Sequence, residues 1–98
     1  MEIITNNNGD TCSIEIIGRL DTTTAPQLEV ELNSKLNGVK NLVFDLSKLE
    51  YISSAGLRVL LSTQKIMNVQ GNMKIVNVIP EVMEVFEITG FTEILNIA

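Results

Sequence analysis

Apolar residues recur along this chain with two different periods, and the changes between them predict its elements. Ile3-Ile4-Thr5 is a short apolar run leading into Asn6-Asn7-Asn8-Gly9-Asp10. Asn-Gly marks a tight turn, because both residues tolerate positive φ. After the turn, Cys12, Ile14 and Ile16 alternate with Ser13 and Glu15, the period of a half-buried strand. Residues 1–17 therefore predict a β-hairpin. Gly18 is expected to end its second strand, with Arg19-Leu20-Asp21 opening a polar connection.

From Thr22 the period becomes helical. Thr24 is placed as N-cap, Pro26 in the first turn and Gln27 three residues on, as in a capping box. Ala25, Leu28, Leu32 and Leu36 form one apolar stripe, with Glu29, Glu31, Asn33 and Lys35 elsewhere on the surface and Gly38 as the C′ residue. Leu42-Val43-Phe44, within Asn41 to Leu46, lacks polar alternation and predicts a strand covered on more than one side. A second helix is expected from about Ala55 to Val69, with Leu57, Val59, Leu60, Leu61, Ile66 and Met67 on its apolar side and Gly71 closing it. Met73 to Val78 predicts a strand, with Met73, Ile75, Val76 and Val78 buried. Pro80 opens a third helix with Val82, Val85 and Phe86 inward and Glu81, Glu84 and Glu87 toward water. Gly90 stops it, and Phe91 to Ile97 is expected to supply a last strand. A hairpin followed by alternating helices and strands predicts an α/β fold: a mixed sheet, mostly parallel after the hairpin, with helices packed on it. In such sheets functional groups gather at the carboxyl ends of the strands. Asp21 and Ser53-Ser54 both follow strands and are expected at one end of the molecule.

Composition narrows the chemistry. Ninety-eight residues suit one domain, 1–98. A net charge of −5 without a basic cluster argues against nucleic acid or an anionic membrane as the main partner. Cys12 is the only cysteine and histidine is absent, so disulfides within the chain, the usual zinc sites and Ser-His or Cys-His catalysis lack their residues. No cofactor or metal is implied, and no enzyme activity is expected. With no signal-like segment or membrane-length apolar run, a cytoplasmic location is expected.

Asp45 to Val59 carries the candidate site, with Ser53 and Ser54 between an apolar strand and an apolar helix. The first amides of a helix have no internal partner, and the helix dipole makes that end partly positive. A serine there can cap the helix, act as a nucleophile or carry a phosphate. Capping is the ordinary role. Nucleophilic catalysis finds no support: Ile52 stands where Gly-x-Ser-x-Gly needs its first glycine, and neither serine has a lysine three residues on. A phosphate would meet free N–H groups, and Ala55 and Gly56 would leave it uncrowded.

Asp45-Leu46-Ser47 through Tyr51-Ile52-Ser53-Ser54-Ala55-Gly56-Leu57, with Gly18-Arg19-Leu20-Asp21, resembles the signature of the STAS domain family, most closely its free-standing bacterial anti-sigma factor antagonists. The strand at Met73–Val78 and the helix at Pro80 are similar to the family's later elements. The resemblance implies a phosphorylatable module that, unphosphorylated, occupies an anti-sigma factor serine kinase and so releases a sigma factor; a serine phosphatase resets it. By motif position it implies Ser54 as acceptor, with Ser53 the alternative. Asp21, Thr22, Ser53, Ser54, Gly56 and Arg58 would then form the partner-binding surface. Many members carry aspartate where Ser53 stands here, and many continue into a final helix where this chain reaches Ala98. The other function such a module serves is a scaffold in a larger signalling assembly without sigma factor control.

Overall fold

The computed structural model describes residues 1–98. The hairpin forms as predicted. β1 (Glu2–Asn8) runs antiparallel to β2 (Thr11–Leu20), and Gly9 makes the turn at φ +67. Gly18 does not end β2. It bends the strand at φ +105, a left-handed backbone open to glycine, and the pairing register shifts between Gly18 and Arg19. Below the bend β2 pairs in parallel with β3 (Asn41–Asp45); above it, with β4 (Leu49–Ile52). The bend thus turns the expected polar connection into strand, ending at the fully buried Leu20.

β4 has no counterpart in the sequence reading. Its burial does not alternate: Leu49 and Ile52 are buried and Glu50 and Tyr51 exposed. The remaining elements are α1 (Ala25–Lys35), α2 (Ser54–Gln70), β5 (Asn72–Val76) and α3 (Pro80–Ile88). The sheet order is β1-β2-β3-β5, with β4 beside β2. Residues 91–97 do not form the expected strand. Phe91–Glu93 is a 3₁₀ turn, and only Ile97 bridges Ile75 on the outer edge of β5.

Helix stripes and strand faces meet in one cluster of 23 buried residues. Ala25, Leu28, Leu32 and Leu36 face inward as expected, as do Cys12, Ile14 and Ile16. β3 is covered fully on one face only: Leu42 and Phe44 are buried, while Val43 is half-buried. Ile66 turns outward, 47% exposed, and Val76, Val78 and Val85 are half-buried. α1 and α2 pack together, α2 lies against β5, and α3 lies against β4. At the far end of α1 the chain turns through Gly38 two residues beyond its C-cap Leu36, rather than one. No helix is long and apolar enough to cross a membrane.

Candidate functional site

The site grows from the tops of two parallel strands. Leu20 of β2 stands opposite Ile52 of β4, and the Ser53 N–H donates to the Leu20 carbonyl at 2.9 Å. This one bond makes the residues that follow each strand neighbours: Asp21 and Thr22 on one side, Ser53 and Ser54 on the other.

The two serines have opposite surroundings. Ser53 is the N-cap of α2, with extended backbone (φ −100, ψ 177), and its carbonyl accepts the Leu57 N–H at 3.0 Å. Its hydroxyl makes no capping bond; the oxygen is enclosed and has no hydrogen-bond partner. The side-chain cap open to Ser53 in the sequence is therefore not formed, because the hydroxyl turns inward. Ser54, the first residue of α2, is exposed. No side chain caps the helix, so its first amides keep their capacity to bind an acceptor.

At the start of α1 Thr24 is the N-cap residue as expected, but the side chain that accepts amides just before the helix is Asp21. Asp21 Oδ1 accepts the N–H groups of Thr23 and Thr24 at 3.0 and 3.1 Å, and the Asp21 carbonyl accepts the Ala25 N–H at 2.8 Å. Thr24 makes no side-chain cap; its hydroxyl accepts the Asp21 N–H at 2.9 Å and donates to the Arg19 carbonyl at 2.8 Å. Gln27 forms no capping box, its amide reaching instead to the Met1 carbonyl at 3.4 Å. The amide of Thr24 foremost, then that of Thr23, holds the Asp21 carboxyl below the ordinary carboxylate range. Asp21 is thus ionised and fixed in position.

Of the other expected residues, Thr22 and Arg58 join this surface, lining one groove of about 270 Å³ between α1 and α2. Gly56 does not. It is buried, and a Cβ there would stand 2.7 Å from Leu20 Cγ and 2.9 Å from Ile52 Cγ1. It keeps α2 close to the strand tops instead of clearing space around Ser54. Arg19 and Tyr51 were not expected here. The Arg19 guanidinium lies 4.1 Å above the Tyr51 ring, and its Nε is 3.8 Å from Asp21 Oδ2. Only the β2–β4 register brings them together, and β4 was not anticipated. Glu29 and Ser62, also in the groove, carry no local signal beyond being polar helix residues. No group of three His, Cys, Asp or Glu side chains is placed to hold a metal ion.

A helix-backed mixed sheet with an exposed serine at an uncapped helix start defines a small α/β module. The chain belongs to the STAS domain family, whose profile matches residues 2–98. A Bordetella bronchiseptica protein named as a candidate anti-sigma factor antagonist, BtrV, is 45% identical over 83 residues, 83% of this chain and 72% of the relative. The anti-sigma-B factor antagonist of Bacillus subtilis is 29% identical over 92 residues, covering 93% of this chain and 84% of its own. Among solved structures, an anti-sigma factor antagonist from Mycobacterium paratuberculosis superposes with a TM-score of 0.88 at 23% identity, over 98% of this chain and 83% of that one; at that identity the likeness concerns the fold.

Proposed function

We propose that this chain is an anti-sigma factor antagonist acting in the cytoplasm as a phosphorylatable protein switch. Unphosphorylated, it occupies a serine kinase that is itself an anti-sigma factor, and a sigma factor is released. Phosphate on Ser54 ends that binding, and a serine phosphatase restores it. Its partners are proteins, not nucleic acid or membrane.

The observation that carries this reading is the contrast between the two serines. A kinase must reach the hydroxyl it modifies; Ser54 is exposed, whereas the Ser53 oxygen is enclosed. Ser54 is therefore the acceptor in this reading, and Ser53 is the N-cap residue of α2 before it. A phosphate at Ser54 would meet the uncapped amides of α2 and a favourable helix dipole, so the fold tolerates it. It also adds about −1.5 to −2 charges beside the ionised Asp21. A kinase surface that accepts the neutral serine next to Asp21, Thr22 and Arg58 then meets concentrated negative charge, and affinity falls without unfolding.

The test is to incubate the protein with ATP and the serine kinase encoded nearest its gene, then to map phosphate by mass spectrometry. Phosphate on Ser54 is expected, together with loss of kinase binding by Ser54→Asp at unchanged circular dichroism. Absence of phosphate at Ser54 would sink the proposal. Phosphate at Ser54 with no change in kinase affinity would assign the chain to the scaffold role instead.

A further inference from the structure

Ser54 and Arg58 stand four residues apart in α2, one turn from each other on the same side of the helix. Cβ atoms at that spacing are about 5–6 Å apart, and an acidic group placed before a basic one is the favoured order. Helical side chains lean toward the N-terminus, so an arginine at position 58 leans back toward the first turn.

In the unmodified chain Ser54 is neutral and Arg58 has no anion to pair with. Arg58 is exposed and takes part in neither salt bridge, Arg19–Asp21 or Lys48–Glu15. The nearby carboxylates leave it free. Asp21 Oδ1 accepts the Thr23 and Thr24 amides, and its Oδ2 faces Arg19. Glu29 lines the same groove as Arg58 but forms no salt bridge with it. No other cation is as well placed for Ser54. The Arg19 guanidinium is stacked on Tyr51 and held beside Asp21. Lys65, the other cation of α2, lies about 16 Å farther along the axis than Ser54, at ~1.5 Å per residue.

We propose that a phosphate on Ser54 is received by Arg58 of the same chain, the guanidinium closing on two of its oxygens. The inference rests on the switch reading above and adds what the phosphate does once it is in place. A guanidinium presents its donors as a planar fork that matches phosphate oxygens in pairs, which an ammonium does not. The pairing changes the surface around Ser54 twice. An anion is added, and the one arginine without a salt bridge is drawn onto it. Modification thus takes away a cation that the unmodified surface displays, with no movement of the backbone.

Phosphoserine placed at position 54 during translation gives the modified chain without any kinase, in the parent and in Arg58→Gln and Arg58→Lys. Position 58 is exposed, and circular dichroism checks that the variants fold. Phosphorus NMR then follows the second ionisation of the phosphate, which lies at about 6 in free phosphoserine. A guanidinium beside it favours the dianion. The parent is therefore expected to ionise at a pH lower than Arg58→Gln by about 0.3 or more, with Arg58→Lys between them. The difference should shrink in about 1 M salt. The chain has only two arginines, so their Nε–H signals are readily told apart; that of Arg58 should move on modification and that of Arg19 should stay. Equal ionisation in the parent and Arg58→Gln would show that the helix amides alone hold the phosphate, and would overturn the proposal. A shift confined to Arg19 would overturn it too, and either result leaves the switch standing. A kinase that binds the unmodified chain yet leaves Ser54 bare would bring down the switch reading, and this inference with it.

Discussion

Ser53 and Ser54 are adjacent and chemically the same, yet one oxygen is enclosed without a partner and the other is exposed. This difference makes Ser53→Ala informative. A capping serine loses typically ~1 kcal/mol on truncation. An enclosed, unpaired hydroxyl contributes no such bond, and removing one relieves a desolvation cost of about 1 kcal/mol or more. Ser53→Ala is expected to leave urea stability unchanged or raised, and to leave phosphorylation of Ser54 intact; a clear loss of stability would show that Ser53 caps after all. Asp21 gives a prediction in pH. Hydrogen bonds from Thr24 and Thr23 favour its charged form, so its folded pKa lies below the unfolded one. Its contribution is therefore present above the ordinary carboxylate pKa and is lost as pH falls through the lowered one. Asp45 shifts the same way, chiefly through the Ser47 N–H, which donates to Asp45 Oδ1 at 2.9 Å. Asp21→Asn should melt lower than the parent at pH 7. That difference should shrink as the solution is acidified below about pH 4, the unperturbed carboxylate range.

Elements here are held where backbone approaches backbone. Gly71 caps α2 with an extended backbone (φ −179) that any residue adopts, so its role is space. A Cβ at that position would run into the Lys40 carbonyl, which already accepts the Asn72 N–H at 2.8 Å. Main chain in a hydrogen-bonded contact yields poorly, so Gly71→Ala is expected to destabilise by about 1–3 kcal/mol in chemical denaturation. Gly56 is the gentler case. Its added Cβ would press on the Leu20 and Ile52 side chains, which have some freedom to shift. Gly56→Ala should cost less than Gly71→Ala. It should also lower kinase affinity, because α2 rides away from β2 and carries Ser54 with it. Gln70 secures the opposite end of the helix pair, its Nε2 donating to the Leu36 and Val39 carbonyls, both at 2.6 Å.

At the scale of the whole molecule, the 23 buried side chains form one connected cluster reaching from Cys12 to Leu95. We infer that residues 1–98 unfold as one cooperative unit. Phe86 of α3 and Phe44 of β3 are both fully buried in that cluster. Phe86→Ala and Phe44→Ala should each move a single urea transition by about 3–5 kcal/mol. Two separate transitions, one insensitive to Phe86→Ala, would show that α3 folds apart from the sheet. Phosphorylation at Ser54 should leave that transition in place, since the phosphate sits outside the cluster.

The hairpin, all three helices and the strands at Asn41 and Met73 were legible in the residues, because each buries a stripe or face whose period the local backbone imposes. The helix start at Ser54 was legible for the same reason, but the strand expected to lead into it, at Asn41 to Leu46, is separated from it by β4. What the sequence left open depends on partners distant along the chain. β4 exists because β2 bends at Gly18 and offers it a second pairing edge. Residues 91–97 coil instead of extending, with only Ile97 reaching β5. Thr24 stands at the N-cap of α1 but makes no side-chain cap, because its hydroxyl is held by the Arg19 carbonyl and the Asp21 N–H, and Asp21 Oδ1 takes the amides of Thr23 and Thr24 instead. The choice between Ser53 and Ser54 is of this kind as well. Local pattern makes both serines equal, and only the tertiary packing at the start of α2 encloses one hydroxyl and exposes the other.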